Sequence, residues 1–519
     1  MDAQLNNRIL PAWILFFAIA WGARPGLAAS GMFPKMPPAA NVCVVNCLKD
    51  SPGAKMTAWA LQGLMNQSSA EVYVLSSGEH REQLEFSKKP FEVLTPVTGD
   101  NVGLRTLFQK YKGRVKKMFV YDPDQDWSWY VALMAAAQEE GIPVTESNKN
   151  QLTSEFGWEG NVEDFRNRWT NRIEAYDWAL AHLMTNCSMQ VVFALKMDKR
   201  LCDYVVASKG FDFWLDSKNP RERAEIQKIY RTKAYGVGAS LMGYAGDDAN
   251  EISNPYGIGY VCSDFYGNGS FWSSFPDKTY TQPPGKAVAA QPGKIYASIM
   301  WSDGDNIQFD TGALYNFWHD PARGKIPVAT SLSPTLQELN PPLLDWYYAK
   351  MTANDELIAG PAGVQFIYIR KFKESLFPAW CDLTREWCRD AGFHSVRIWQ
   401  APNPSVKYTH YMKACGFSGV FGEGEIIQRG FPPKLDTFGA WDEEKLFNAF
   451  TTAVKPNPRA PVFVSFTPIV QGFDKKNGGY AAVKRQIDRL ETAYPGRYIF
   501  LLPKDQFATI RAYYHLPVN

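Results

Sequence analysis

From Val42 onward the chain alternates short β-branched runs with stretches whose apolar residues recur at helical spacing. Val42 to Val45 reads as a strand; Met56, Trp59, Ala60 and Leu64 then share one helical face, and Val72-Tyr73-Val74-Leu75 reads as a second strand. The alternation continues through a helix bearing Leu104, Leu107, Phe108 and Tyr111, a strand at Met118-Phe119-Val120-Tyr121 and a helix from Trp129 to Glu140. A long amphipathic helix is predicted from Glu163 to Met184, then strands at Gln190 to Phe193 and Ala239 to Gly243, then an aromatic-rich loop to Tyr280. Strand-helix-strand order predicts a largely parallel sheet.

Periodicity stops between residues 281 and 293, a stretch rich in Pro, Gly and Ala that predicts a linker. Beyond it strands are predicted at Ile295 to Met300, Ile326 to Thr330, Leu357 to Ala359, Ser395 to Trp399, Gly419 to Phe421, Val462 to Phe466 and Tyr498 to Leu502. Helical runs such as Leu376 to Ala391 and Tyr480 to Tyr494 lie between them. Repeated β/α units, about seven of them, predict a TIM-like barrel roughly one unit short of eight, with a doubly wound open sheet as the alternative. The expected class is α/β: an N-terminal α/β domain over 30–280, a linker over 281–293 and a barrel-like domain over 294–519.

The start of the chain carries Arg8, an apolar stretch from Pro11 to Trp21 and small residues at Gly26-Leu27-Ala28-Ala29, the order of a cleavable signal peptide over 1–29. The expected location is therefore secreted or periplasmic. The apolar stretch is shorter than the roughly 20 residues of a membrane span, so no stable membrane insertion is expected after cleavage; an uncleaved anchor is the alternative. No cysteine follows the small residues until Cys43, which argues against a lipid anchor.

Composition narrows the function. A net charge of +2 spread evenly along 519 residues leaves no electrostatic footprint for nucleic acid. The eight cysteines form no disulfide framework: Cys43 and Cys47 fall about 13 Å apart on a strand, beyond bridging reach, and Cys381 and Cys388 about 10 Å apart on a helix. Buried free thiols are expected. Neither a CxxC pair nor a Cys/His ladder is present, so no structural zinc and no cofactor is called for.

Candidate chemistry begins at Ser302-Asp303-Gly304-Asp305-Asn306, just past the first barrel strand, where β/α enzymes place their reacting groups. On an extended strand end Asp303 and Asp305 would face the same side, about 6.6 Å apart. Asp305 could instead cap the helix that opens at Asn306. An EF-hand loop is excluded, because its ligand and glycine positions fall on Ile307 and Gln308. Glycoside hydrolysis needs carboxyl groups on both sides of the scissile bond, and two acids on one strand end supply one side. The partner is expected in Gly422-Glu423-Gly424-Glu425, after the fifth strand, although a solvated surface turn would look the same. Asp505, after the last strand, is a weaker candidate. Trp399 and Gln400 close the fourth strand, and 17 Trp with 25 Tyr supply rings that can stack on sugars. The acidic run Gly246 to Glu251 follows a first-domain strand and could reach an interdomain cleft.

Three segments carry a resemblance: Ser302 to Gln308; Ser333 to Leu339, leading to Tyr347-Tyr348; and Asn354-Asp355 through Gly360-Pro361-Ala362-Gly363 to Tyr368. In order and spacing they resemble the secreted bacterial glycoside hydrolases named after a G-x-G-Y-x-Y-P motif. The run Ala58 to Asn66 is similar to that family's first domain, so the likeness spans roughly residues 40–515. It implies an α/β first domain, a barrel-like second and a glycosidase activity on a carbohydrate substrate. Gly363 and Tyr368 match the motif, whereas Gln365, Phe366 and Ile369 stand where the family has Gly, Tyr and Pro. The resemblance carries over Asp303, Asp305 and Asn306 with Gly363 and Tyr368, and marks Gln365 as the altered position in the substrate loop.

The leading reading is an exported glycoside hydrolase using Asp303 or Asp305 against Glu423 or Glu425. Metal-dependent polysaccharide deacetylation is the second; it wants a His-x-x-x-His pair, which the histidines at 80, 182, 319, 394, 410 and 515 do not form. A non-catalytic glycan-binding protein is the third.

Overall fold

The computed structural model describes residues 31–196, 198–399, 406–473 and 478–517; the predicted signal peptide and Gln400 lie outside them. The first half carries three separate parallel sheets rather than one. Strands β1 (Val42–Asn46), β2 (Val72–Leu75) and β3 (Phe91–Val93) form the first, and β4 (Lys117–Val120), β5 (Gly141–Val144) and β6 (Asn161–Asp164) the second. The third is built from β7 (Val191–Leu195), β8 (Phe211–Asp212), β9 (Ser240–Tyr244) and β10 (Gly259–Cys262), in the order β10-β9-β7-β8. Strand β6 occupies the start of the predicted Glu163 to Met184 helix. It is an exposed edge strand held by its ladder to β4, so it needs no apolar alternation and gives no strand signal. The helix itself runs Arg172–His182, where the Asn171 side chain accepts from Glu174 N at 3.1 Å.

The second half is a parallel TIM-like barrel. Its strands are β11 (Ile295–Trp301), β12 (Val328–Leu332), β13 (Asp355–Ala359), β14 (Ser395–Arg397), β15 (Gly419–Gly422), β16 (Lys434–Ala440) and β17 (Val462–Pro468), closed by pairing of β11 with both β12 and β17. Strand β16 was not legible in the sequence: it mixes Lys, Asp, Thr and Gly with its apolar residues, and no helix separates it from β15. Conversely, β18 (Tyr498–Phe500) is not a ring member. It pairs only with the first half of β11, through Ile295↔Tyr498 to Ala297↔Phe500, while the second half pairs with β12 through Met300↔Ala329 and Trp301↔Thr330.

Alternation along β11 separates two cores. Ile295, Ala297, Ile299 and Trp301 pack outward against the helical layer, whereas Tyr296 and Met300 face inward with Ala329, Ile358, Phe421, Leu435 and Phe463. Phe507 and Ile510, from the helix Pro503–Tyr513, join that inner cluster and close the N-terminal end of the barrel. Burial of each such side chain contributes about 2–3 kcal/mol. Lys504 N donates to the buried Glu356 carboxylate at 2.8 Å and Lys286 N to Asp505 at 2.7 Å. Asp505 therefore belongs to the closed end, opposite the acids that follow β11.

The third sheet docks on the other, C-terminal, end. Strand β10 would be a free edge, but Tyr260 and Phe366 exchange backbone hydrogen bonds at 3.0 and 2.9 Å, and Cys262 bridges Asn306. The loops after β11 and β13 are thus pinned against the sheet. All eight cysteines are free thiols, seven of them buried.

Candidate active site

Strand β11 ends at Trp301, and the chain turns there rather than staying extended: Asp303 has φ 69°, a left-handed conformation uncommon for a residue with a side chain. The two aspartates come together through this turn and not through strand alternation. The turn is held from below, where Ser331 Oγ donates to Trp301 O at 2.8 Å and accepts from Gly304 N at 3.1 Å. A Cβ on Gly304 would lie 2.2 Å from the Ser331 carbonyl carbon, so only glycine lets the β11 and β12 ends meet this closely. Asn306, not Asp305, is the N-cap of the short helix Ile307–Thr311, and its side chain makes no capping bond.

Both aspartates are buried, at 8% and 9% exposure. Burial pushes the Asp305 carboxyl up to about 8, and the charge of Asp303 beside it adds to the rise. Asp303 is also raised by burial, but the Gln471 amide and the Arg397 guanidinium hold it toward its charged form. The two acids thus differ: Arg397 and Gln471 favour the charged form of Asp303, while burial and that neighbouring charge favour the protonated form of Asp305. A third acid, Asp310, is fully buried below them; it accepts from Ser333 N at 3.1 Å, and burial together with both aspartates raises it further.

Arg397 was not singled out in the sequence. Its signal is a charged residue between Val396 and Ile398 in a buried strand, and the register Arg397↔Phe421↔Leu435 turns it to the barrel interior. Its guanidinium carbon lies 4.1 Å from the centroid of the Trp399 ring. Burial lowers its pKa to about 10, against the opposing charges of Asp303, Asp305 and Glu423. The charges of those three carboxyl groups thus converge on one cation at the barrel mouth.

Glu423 and Glu425 part company. Both are exposed, but Glu423 acts on Arg397, whereas the charge neighbouring Glu425 is Asp436 and its own charge reaches Tyr514 beyond the closing helix. The chain folds back along β16 after Glu423, with Ile426 and Lys434 exchanging backbone bonds, which carries Glu425 away from the mouth.

The motif loop splits similarly. Gly363 has φ 139°, and a Cβ there would stand 2.3 Å from Thr384 Cγ2, so its glycine is a packing requirement. The Gln365 amide is spent within the protein: it donates to Gly238 O, Ala239 O and Ser240 Oγ and accepts from Trp380 Nε1. Tyr368 is half-buried at the mouth, its hydroxyl raised by burial and then by Glu251, with Asp247 and Asp305 adding to the rise. The acidic run is largely neutralised internally: Asp247 accepts from Tyr244 at 2.7 Å, Asp248 pairs with Arg223 at 3.1 Å and Glu251 with Lys371 at 2.8 Å. Trp441, 56% exposed, follows β16, and its backbone lies against Gly472, where a Cβ would meet the Trp441 carbonyl oxygen at 1.8 Å.

A cavity of about 870 Å³ lies elsewhere, at the carboxyl edge of the first sheet, but Asp50 in it already accepts from Gly103 N and Leu104 N at 3.0 and 2.7 Å. Among the described residues no group of three His, Cys, Asp or Glu could hold a metal ion.

Family models match the chain in three places. The GxGYxYP putative glycoside hydrolase C-terminal domain matches residues 293–426, the GxGYxYP_N second domain residues 115–187 and the GxGYxYP third domain residues 184–274. A crystal structure of a putative hydrolase from Bacteroides thetaiotaomicron is similar over 93% of this chain and 96% of that one, with TM-score 0.78 and 19% identity, a likeness of fold. A putative polysaccharide deacetylase from Mycobacterium smegmatis aligns over 47% of this chain and 96% of that one at 11% identity; its TM-score of 0.32 carries no argument. No curated protein matches the chain.

Proposed function

The chain belongs to the GxGYxYP putative glycoside hydrolase family, and from that premise we propose that it cleaves glycosidic bonds at the mouth of its barrel. Asp305 is the general acid: a carboxyl held protonated by burial and by its charged neighbour can give a proton to the leaving glycosidic oxygen. Glu423 is the opposing carboxylate, the base that activates water or the nucleophile that attacks the anomeric carbon. Arg397 favours the charged form of Asp303, and that charge raises Asp305 further. The observation that carries this reading is the convergence of the Asp303, Asp305 and Glu423 charges on buried Arg397 at the carboxyl end of the barrel.

Glycan contacts in this reading come from the aromatic rim, Trp441, Trp399 and Tyr368, whose rings suit pyranose faces. Export follows from the composition of residues 1–29 and makes an extracellular or periplasmic glycan the substrate. Incubation of the purified protein with a panel of plant and microbial polysaccharides, followed by assay of new reducing ends, tests the reading. Release from one class supports it; binding of glycans without release would favour a lectin-like role.

A further inference from the structure

Arg397 is 5% exposed, yet it forms no ion pair among the described residues, and its Nε and Nη1 have no hydrogen-bond partner. An arginine buried this way is costly unless something completes its hydrogen bonding. Its nearby acids do not: among the described residues none of them pairs with its Nε or Nη1, and their charges act on it through space. Trp399 covers one face of the guanidinium, which leaves the in-plane edge for a ligand. Ser395, two residues earlier on the same inward face of β14, has a buried hydroxyl with no partner, as do Ser298 on β11 and Thr467 on β17. The inner wall therefore carries, besides the unpaired guanidinium, unpartnered hydroxyls on β11, β14 and β17.

A neutral sugar hydroxyl could take one N–H, but it would leave the guanidinium without a hydrogen-bonded ion-pair partner. A flat or tetrahedral oxyanion satisfies both the charge and the unpartnered in-plane N–H groups, which is the geometry arginine offers carboxylates and sulfates. We propose that Arg397 is a specificity-determining residue that takes the oxyanion of an acidic sugar, a uronate carboxylate or a sulfate ester, in the unit bound against Asp303 and Asp305. This deepens the glycoside hydrolase reading and rests on it. The competing role, Arg397 serving only to hold Asp303 ionised, predicts no preference among glycans.

The test is binding of the full-length protein, by calorimetry, to matched oligosaccharides: uronate-containing chains against the same chains after carboxyl reduction, and sulfated chains against their desulfated forms. The acidic member of at least one pair binds about tenfold tighter or more, and its affinity falls as salt is raised while that of the neutral member holds. Which pair discriminates tells carboxylate from sulfate. Arg397→Met abolishes the difference and Arg397→Lys keeps part of it. Equal binding within every pair, no binding of any acidic chain, or a preference that survives Arg397→Met overturns the proposal. The matched pairs and the salt dependence are read on the unmutated protein, so they decide even if a variant does not fold. Cleavage of neutral glycans without acidic preference would remove this inference and leave the hydrolase reading; acid-selective binding without cleavage would do the reverse.

Discussion

A Cβ placed on Gly360 would stand 2.6 Å from the carbonyl carbon of Gly304 and 2.7 Å from Asp305 N. The loop after β13 therefore lies directly on the turn that carries both aspartates, with backbone against backbone. No side chain can move aside to admit a methyl group, so Gly360→Ala must displace the turn. The variant should lose most of its activity and about 2 kcal/mol or more of stability. Turnover together with thermal unfolding checks this; a fully active, fully stable variant would show that the contact does not position the aspartates.

Gln365→Gly restores the residue that the family motif carries. Here it removes an acceptor from Trp380 Nε1 and donors from Gly238 O, Ala239 O and Ser240 Oγ, all buried. Gln365 fits because position 259 is glycine, where a Cβ would lie 2.3 Å from Gln365 Oε1. The variant should be destabilised by about 2–4 kcal/mol, since unpaired buried groups cost about 1–3 kcal/mol each, while kcat stays near wild type. Urea unfolding and steady-state kinetics separate the two effects. A large loss of kcat at unchanged stability would instead place Gln365 in contact with substrate.

Glu356 sits at the closed end of the barrel, and burial raises its carboxyl to about 8. Its folded pKa lies above its unfolded value of about 4.3, so the folded state binds the proton more tightly. The associated stability is present in full below the unfolded value and is lost as pH rises to about 8, by at most about 1.4 kcal/mol per pH unit. Wild-type melting temperature should fall between mildly acidic pH and pH 8, and Glu356→Gln, which keeps an acceptor for Lys504 N, should flatten that slope. An identical slope in the variant would contradict the assignment.

Trp441 is 56% exposed just past the carboxyl end of β16, so Trp441→Ala has no core to disturb. KM should rise roughly tenfold, the effect of losing one stacking ring, with kcat and melting temperature unchanged. An unaltered KM would remove Trp441 from the glycan path.

Much of the fold was legible because barrel strands such as Ile295–Trp301 are apolar on both faces and their spacing repeats. What escaped were elements whose stability comes from partners rather than pattern: β16, which mixes polar residues, and β6, an exposed edge. The acids after β11 were legible from position alone, yet their geometry was not, since the φ of 69° at Asp303 is set by packing of Gly304 on β12 and not by local sequence. Arg397 stood in plain view inside an apolar strand, but only strand register turns it toward Asp303 and Asp305. Glu423 and Glu425 looked equivalent, and the fold-back along β16 separates them.

The central claim, that Asp305 is the acid of a glycosidase, is tested most directly by reducing-end release from the cleaved glycan by the wild-type protein and by Asp305→Asn. Asn matches the shape of the protonated carboxyl but carries no proton to give. The account predicts a fall in kcat of about 100-fold or more with melting temperature unchanged or raised. It also predicts a wild-type rate that declines as pH passes about 8. Turnover by Asp305→Asn within roughly threefold of wild type would contradict it.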